Sequence, residues 1–381
     1  MIRVAIIGAG AITAAHINAY LAFPERCTIV GVADIMPGKA QELVERYGLK
    51  AKAVTDYREL ANEGIDLASI CTPPFTHAPL AKDFMRFGAH VLIEKPMAAS
   101  LQECDELLEV AAQENKLCSV VAQNRYTNPL MKLKQMVDSG LAGRILHAQV
   151  DSFWWRGYSY YDLWWRGTWE KESGGCTINH AVHHIDALQW MLGLPVEVQA
   201  IMGNTAHDNA EVEDLSIAML RYGDGSLGQI TSSVVHHGEE QQIVFQGTAA
   251  RISAPWRVKA SLSNPNGFPS PHPELERKLQ EAYDALPPLT HEGHVGQIDN
   301  LLRAIETKAD VFIDGESGRR TLELITAIYK SASTGEKVTL PLRKEDPFYT
   351  REGIMAHATR FYEKKNSVYG FEKNNITVSG T

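Results

Sequence analysis

Two short segments hold side chains whose types and spacing could do proton chemistry. The first is Glu94-Lys95-Pro96, which closes the apolar run Ala89, His90, Val91, Leu92, Ile93. A buried strand normally ends in a turn, not in a carboxylate, an ammonium and a proline in succession. If the strand belongs to a parallel sheet, its carboxyl end is where ligands bind, and a lysine there can hydrogen-bond a reacting oxygen. Taken alone, a Lys-Pro pair reads as a solvated lysine beside a turn. The second segment is Asn179-His180-Ala181-Val182-His183-His184-Ile185-Asp186. On one continuous helix Asn179, His183 and Asp186 share a face, at i, i+4 and i+7. His183 is then a candidate general base, because an imidazole titrates near neutrality. Asn179 and Asp186 would orient substrate or histidine, Asp186 by supporting the helix or the histidine from behind. Gly174-Gly175 just upstream would let backbone approach a ligand closely.

The elements that must position Lys95 begin at the N-terminus. Arg3 to Ile7 is an apolar strand that runs into Gly8-Ala9-Gly10-Ala11-Ile12-Thr13. Gly8 permits the tight turn, and Gly10 lets the backbone, with Ala11 and Ile12 behind it, approach a pyrophosphate at a helix N-terminus. Thr13 replaces the third glycine of the fingerprint, so the match takes its weight from context: a strand before, and the helix-like run Ala14 to Ala22 after. A second strand, Thr28 to Ala33, ends in Asp34, about 20 residues beyond the loop, where an acid can bond both ribose hydroxyls of NAD. A carboxylate there repels the 2′-phosphate of NADP, and Ile35 and Met36 bring no cation to offset it. NAD is therefore expected in preference to NADP; the competing role for Asp34 is a cap before Pro37-Gly38.

Helix and strand then alternate. Lys39–Tyr47, His77–Phe87 and Leu101–Glu114 read as helices; Asp66–Cys71, Ala89–Ile93 and Cys118–Ala122 read as strands. This order implies right-handed crossovers and a doubly wound parallel sheet of Rossmann type. Thr72, Pro73, His77, Glu94, Lys95 and Gln123 then stand on the same edge as the glycine loop, around the cofactor. Pro96, at a tight site-forming turn, is a candidate for a preceding cis peptide.

A chain of 381 residues is too long for one ordinary core, and two domains are expected. The boundaries read as a dinucleotide domain over 1–122, a substrate and oligomerisation domain over 123–345, and an extension over 346–381. The net charge of -9 argues against nucleic acid or an anionic membrane as partner. No apolar stretch approaches the ~20 residues of a membrane span, and no charged leader precedes the first strand. Cys27, Cys71, Cys104, Cys118 and Cys176 are odd in number and lack metal spacing, as in a reduced, cytoplasmic protein.

Beyond Ala122 the texture changes. Long strands near Leu146–Trp155, Val196–Ile201, Leu215–Tyr222, Leu227–Val235 and Gln242–Gln246 follow one another, with Gly223-Asp224-Gly225 a turn between two of them. They predict an α+β domain with a mainly antiparallel open sheet, closed by helices near His294–Thr307 and Ser317–Thr334. Gln123-Asn124-Arg125-Tyr126 opens this domain, and Arg125 and Tyr126 are candidate substrate contacts. From Phe153 to Trp169 lie five tryptophans and three tyrosines with Arg156 and Arg166. Aromatic rings stack on sugar faces and arginines clamp anions, so Trp165 and Arg166 are assigned to the substrate pocket; packing is the competing use. His180, His183 and His184 invite a zinc reading, but His180 points about 60° away from His183 on an ideal helix and no third-ligand motif is present. No metal is expected. A helix over Met355–Lys364 is the expected content of the extension, packed on a neighbouring subunit or on the surface.

Together, the glycine loop, Thr72-Pro73-Pro74 with His77, Glu94-Lys95-Pro96, and Gly-Gly followed by Asn-x-x-x-His-x-x-Asp resemble the Gfo/Idh/MocA oxidoreductases, from Ile2 to about Leu342. The resemblance implies NAD(P)-dependent dehydrogenases of sugars, nucleotide sugars and cyclic polyols, with a catalytic lysine at Lys95 and a catalytic histidine at His183. It also implies a homodimer or homotetramer formed through the open sheet. Many inositol-type members carry aspartate where this chain has Asn179 and glycine where it has Ala181. Asn179 cannot take a proton. With Gln123–Tyr126 and the Trp-Arg-Gly-Thr-Trp segment, it is similar to a branch that includes UDP-N-acetylglucosamine 3-dehydrogenase-like proteins. Two rivals share the fold: a glycosidase that oxidises C3 transiently, and a non-catalytic dinucleotide sensor.

Overall fold

The apolar runs of the first third pair as six parallel strands. The computed structural model describes residues 1–370. Strands β1 (Ile2–Ile7), β2 (Cys27–Ala33), β3 (Lys52–Val54), β4 (Leu67–Ile70), β5 (His90–Ile93) and β6 (Cys118–Val120) lie in the order β3-β2-β1-β4-β5-β6. Helices α1 (Thr13–Leu21), α2 (Lys39–Arg46), α3 (His77–Arg86) and α4 (Leu101–Gln113) form the crossovers. Val4, Ala5, Ile6, Leu67, Ala68 and Val91 are wholly buried, as strands covered on both faces must be. Strand order reverses at β1, whose neighbours are β2 and β4. Ligands bind at such a switch point, outside the carboxyl ends of the strands. Strand β3 goes beyond the expected set; three residues with a lysine among them are too short a run to show periodicity.

The second half adds α5 (Asn128–Asp138) and then a nine-stranded sheet. Its strands are β7 (Ile145–Phe153), β8 (Glu197–Gly203), β9 (Leu215–Arg221), β10 (Leu227–Ser233), β11 (Gln241–Gly247), β12 (Ala250–Ala254), β13 (Arg257–Ser263), β14 (Pro269–Pro271) and β15 (Val338–Thr339). They run β14-β13-β12-β11-β7-β10-β9-β8-β15, and β7 with β10 is the one parallel pair of this sheet among the described residues. Strands β8 and β9 alternate between core and surface. Val198, Ala200, Ala218 and Leu220 point inward, while Ile201, Ile217 and Met219 stay exposed.

Seven more helices follow among the described residues: α6 (Trp169–Glu172), α7 (Cys176–Asn179), α8 (Val182–Leu192), α9 (Pro273–Ala285), α10 (Gly293–Thr307), α11 (Gly315–Thr334) and α12 (Arg351–His357). Helix α11 ties the halves together. Asp314 caps it by accepting from the Ser317 N–H at 2.8 Å, and its Leu322, Ile325 and Ile328 join one apolar core that runs from β5 to β11. Gly318 allows the close approach, since a Cβ there would sit 2.6 Å from Val120. Helix α10 returns to the first sheet: Ile298, Leu301 and Leu302 pack with Ile2, Val4 and Ile17, and Arg26 reaches Asp299 at 2.6 Å.

The expected helix over Met355–Lys364 is shorter and earlier. Helix α12 stops at His357, and the chain continues extended across the aromatic segment. Trp169 Nε1 donates to Thr359 O at 3.1 Å, the Val368 N–H donates to Asp162 O at 2.8 Å, and the Trp164 N–H donates to Val368 O at 2.9 Å. Residues 371–381 of the expected extension lie outside the described residues. No described helix is long and apolar enough to cross a membrane.

Candidate active site

At the end of β1 the chain turns through Gly8, whose φ of +100° suits glycine, and where a Cβ would lie 2.6 Å from Cys71 O. Thr13, at the third fingerprint position, is fully buried and donates its hydroxyl to Gly8 O at 2.8 Å. The threonine therefore locks the loop by a hydrogen bond where a glycine would serve by close packing. Asp34 accepts from the Ala9 N–H at 2.7 Å and from the Met36 N–H at 2.8 Å. It is thus a brace for the glycine loop, with part of its carboxylate surface still open. Gln123 is part-buried, and its Oε1 lacks a partner among the described residues. A glycine cradle, a helix N-terminus, an acid with open carboxylate surface and an unpaired amide oxygen on one sheet edge fit NAD.

His77 ties the two edge turns together. Its Nδ1 lies 2.8 Å from Pro96 O and its Nε2 2.7 Å from Thr72 O. Pro73 leads the short turn before it, and the Lys95–Pro96 peptide is cis. Glu94 is buried. Burial alone would raise its pKa, but the hydrogen bond with His16 and the nearby His294 outweigh that and hold the carboxyl well below its usual range. His16 Nε2 is 2.8 Å from Glu94 Oε1 and His294 Nε2 is 3.9 Å from it. Neither histidine was expected here. The sequence signal for His16 is faint, three residues beyond Thr13 on the inner face of α1, and His294 arrives on a helix 200 positions beyond Glu94.

Lys95 projects from this carboxylate into the space between the halves, and its Nζ donates to Asn179 O at 2.8 Å. Burial pushes its pKa down; Glu94 opposes that and the Arg166 guanidinium reinforces it. Lys95 and His183 line one small cavity of about 20 Å³ with Asp186, Thr321 and the apolar Val182 and Leu322. Burial, then the ammonium of Lys95, holds His183 well below the usual imidazole pKa. At neutral pH it is an uncharged ring able to accept a proton.

Three expectations for this region are corrected. Asn179 and His183 do not share a continuous helix: α7 ends at Asn179, and α8 starts at Val182. Asn179 acts through its main-chain carbonyl on Lys95, while its amide donates back to Gly174 O and Gly175 O at 3.1 and 3.2 Å. Gly174 and Gly175 make room for protein, not ligand, since Cβ atoms there would meet the Tyr329 hydroxyl at 2.2 Å and Glu213 O at 1.9 Å.

Arg125 and Asp186 are turned toward each other. Both are buried, with Arg125 Nε and Nη2 each donating to Asp186 at 2.7 Å; Thr321 and Gln189 donate to the same carboxylate at 2.8 and 3.4 Å. This places Arg125 under the site as a support. Tyr126 packs edge-on against Phe312, with ring centroids 5.6 Å apart. The aromatic segment brings Arg166 over the Trp165 and Tyr160 rings, 4.1 Å from each centroid, while Arg166 Nη1 donates to Glu172 at 2.7 Å. His180 lies beside them, with Tyr160 Oη 3.3 Å from its Nε2.

A dinucleotide cradle on the sheet edge that also presents a buried lysine, with an uncharged histidine beside that lysine, fits an NAD-dependent dehydrogenase of CH–OH groups. Residues 2–122 match the oxidoreductase family with NAD-binding Rossmann fold, and residues 130–253 match the GFO/IDH/MocA C-terminal domain. The chain belongs to the Gfo/Idh/MocA oxidoreductase family. It is 31% identical to the WlbA dehydrogenase from Chromobacterium violaceum, solved with NADH and UDP-GlcNAcA, over 90% of this chain and 96% of that one, at a TM-score of 0.77. The WlbA dehydrogenase from Bordetella pertussis, solved with the same two ligands, is 28% identical over 90% and 98% at a TM-score of 0.77. Among curated proteins, inositol 2-dehydrogenase of Rhizobium meliloti is 24% identical over 89% of this chain and 99% of its own length.

Proposed function

We propose that the protein oxidises a ring secondary alcohol of a sugar, sugar acid, nucleotide sugar or cyclitol, and that Lys95 and His183 carry the proton chemistry. The observation behind this assignment is that the two stand close together beside the dinucleotide edge, each with its proton affinity lowered by burial. The uncharged ring of His183 takes the hydroxyl proton as the C–H hydride departs. Bound NAD supplies the hydride acceptor. Lys95, steered by Asn179 O, donates a hydrogen bond to the oxygen as it becomes a carbonyl and stabilises alkoxide charge on the way. The alcohol so loses one proton and one hydride, and no further reactant is needed. In the reverse direction His183 enters protonated and Lys95 polarises the carbonyl.

The outward face of the second sheet supports a partner of one kind, a second copy of this chain. Ile201 and Ile217 face each other across the β8–β9 ladder with Met219 beside them, all exposed. Isolated apolar side chains need no explanation, but a cross-strand apolar group on an open sheet does. Ile201→Glu with Met219→Glu should convert a homo-oligomer to monomer in light scattering; a monomeric wild type would end the idea.

The reading is tested by NADH absorbance with NAD and a panel of sugars, sugar acids, inositols and UDP-sugars, alongside Lys95→Ala and His183→Ala. Turnover of one class, lost in both variants, is expected. Cleavage of aryl glycosides that requires NAD but leaves no net NADH would replace it with the transient-oxidation glycosidase. NAD binding without turnover of any kind would favour the sensor.

A further inference from the structure

Buried polar nitrogens without partners are rare in folded proteins, and each calls for an explanation. Two occur on residues that flank the Tyr160 ring. His180 is 7% exposed, and its Nδ1 has no partner among the described residues; Arg166 Nε is in the same state. One ring joins them. Tyr160 holds the Arg166 guanidinium 4.1 Å from its centroid, and its hydroxyl lies 3.3 Å from His180 Nε2. Assigning Tyr160 as the donor to Nε2 puts the His180 proton on Nδ1, and both unpartnered atoms are then donors. Arg166 and Tyr160 retain open surface, while the two unpartnered nitrogens are themselves shielded from solvent.

The position of His180 relates this group to the chemistry. It follows directly on Asn179, whose carbonyl receives Lys95 Nζ at 2.8 Å. The break between α7 and α8, which spoils the expected helix face, is what places His180 here. The local field is cationic. After burial, the groups acting on His180 are Arg156, Arg166, Lys95 and His183, and each lowers its proton affinity. Arg156 is matched by Glu239 at 2.6 Å and Arg166 by Glu172 at 2.7 Å, but those acids are turned to the far nitrogens and leave His180 Nδ1 and Arg166 Nε without an acceptor.

We infer that His180 and Arg166, bridged by Tyr160, form a specificity subsite for a carboxylate carried on the sugar ring, so that the protein selects sugar acids over their neutral counterparts. This rests on the dehydrogenase reading and deepens it. A carboxylate is acceptor-only and offers two oxygens, one for each unpartnered donor. A hydroxymethyl group offers one oxygen, no charge, and a hydrogen that itself needs an acceptor. Lys95 and His183 then face the ring carbon to be oxidised, and the carboxylate fixes which carbon that is. His180 is a positioning residue here and takes no part in the proton transfer.

The test pairs each acid with its neutral counterpart: glucuronate with glucose, galacturonate with galactose, and UDP-GlcNAcA with UDP-GlcNAc. Initial rates with NAD give the acid-to-neutral ratio of kcat/KM. A ratio well above one is expected in the best pair, falling by about 10- to 100-fold in His180→Ala and in Arg166→Met, the range for charge-assisted hydrogen bonds. His180→Asn, which keeps a donor, should restore part of it, and unchanged NADH affinity confirms that each variant is folded. Equal or better use of the neutral partner, or an unmoved ratio in both variants, overturns the inference. Preference within the UDP pair but not the free sugars still supports the carboxylate; equal binding of both UDP-sugars assigns the donors to phosphate and overturns it. Should no pair yield NADH, the dehydrogenase reading fails separately. Calorimetric binding of the same pairs to the NADH-loaded protein then decides the subsite: acid-selective binding lost in His180→Ala supports it, and unselective binding ends it.

Discussion

Asp186 and His183 stand three residues apart on α8 and have opposite surroundings. Asp186 receives two guanidinium bonds from Arg125, one from Thr321 and one from Gln189, all within the protein. His183 lines the same cavity beside Lys95 but is half-buried with no such set of partners, and burial and a neighbouring cation lower its proton affinity. One layer of polar groups is satisfied and holds the helix in place; the layer above it is desolvated and partly unpaired. Completed polar networks fix geometry, while groups deprived of water and of full partners are those a ligand can engage. Residue type alone does not distinguish the two, since each layer combines a cation with an acceptor.

The contrast can be broken at several points. Lys95→Met should lower turnover by about 10²- to 10³-fold, the scale for removing one donor to a developing oxyanion, while thermal stability and NADH binding hold. A comparable loss of stability would place Lys95 in the supporting layer. Arg125→Ala leaves Asp186 buried and unpaired, and such a change costs about 3–5 kcal/mol. Urea unfolding of that variant should show the whole loss, and a change under 1 kcal/mol, on the order of RT, would contradict the assignment.

The histidines sharpen the contrast through pH. His184 is buried against Ser152 at 2.9 Å, and burial pushes its pKa from 6.5 down to about 4. The unfolded chain binds this proton more readily than the folded one. Its contribution, about 3 kcal/mol, is therefore present above pH 6.5 and lost progressively as pH falls toward 4. His184→Gln should flatten that part of the acid unfolding curve. The smallest effect belongs to the C-terminal strap. Truncation after Ala358 removes the bonds from Trp169 to Thr359 and between Val368 and the 162–164 backbone. Substrate KM should rise several-fold, on the scale of about 1 kcal/mol per lost hydrogen bond, with NADH affinity unchanged.

What could be read from the sequence follows the same division. The glycine loop, Asp34, Glu94-Lys95 and the alternating strands were legible because strand period, turn residues and local spacing encode them. The open sheet was legible down to β11, where Pro255 and short polar strands obscured β12 to β14. Other features depend on contacts between distant segments. The break at His180 arises where Asn179 O turns to Lys95 and Thr177 N–H to Glu213 at 2.9 Å, which no helical pattern announces. The Gly174-Gly175 pair looked like a ligand approach and proved to accommodate Tyr329 and Glu213. His16 and His294 meet Glu94 only because α10 folds back on α1. The strap beyond His357 has no period at all, and its path is set by backbone bonds to residues 162–164.

The most direct test is a paired measurement on His183→Ala and Asp186→Ala, recording NAD-dependent turnover of the best sugar substrate and the thermal midpoint of each. His183→Ala should lose at least about 100-fold in turnover with its midpoint near wild type, as expected for removal of a general base. Asp186→Ala should unfold at markedly lower temperature, in line with loss of a buried pair. If His183→Ala turns over like the wild type, or if its midpoint falls as far as that of Asp186→Ala, the division between a supporting layer and a reacting layer is wrong.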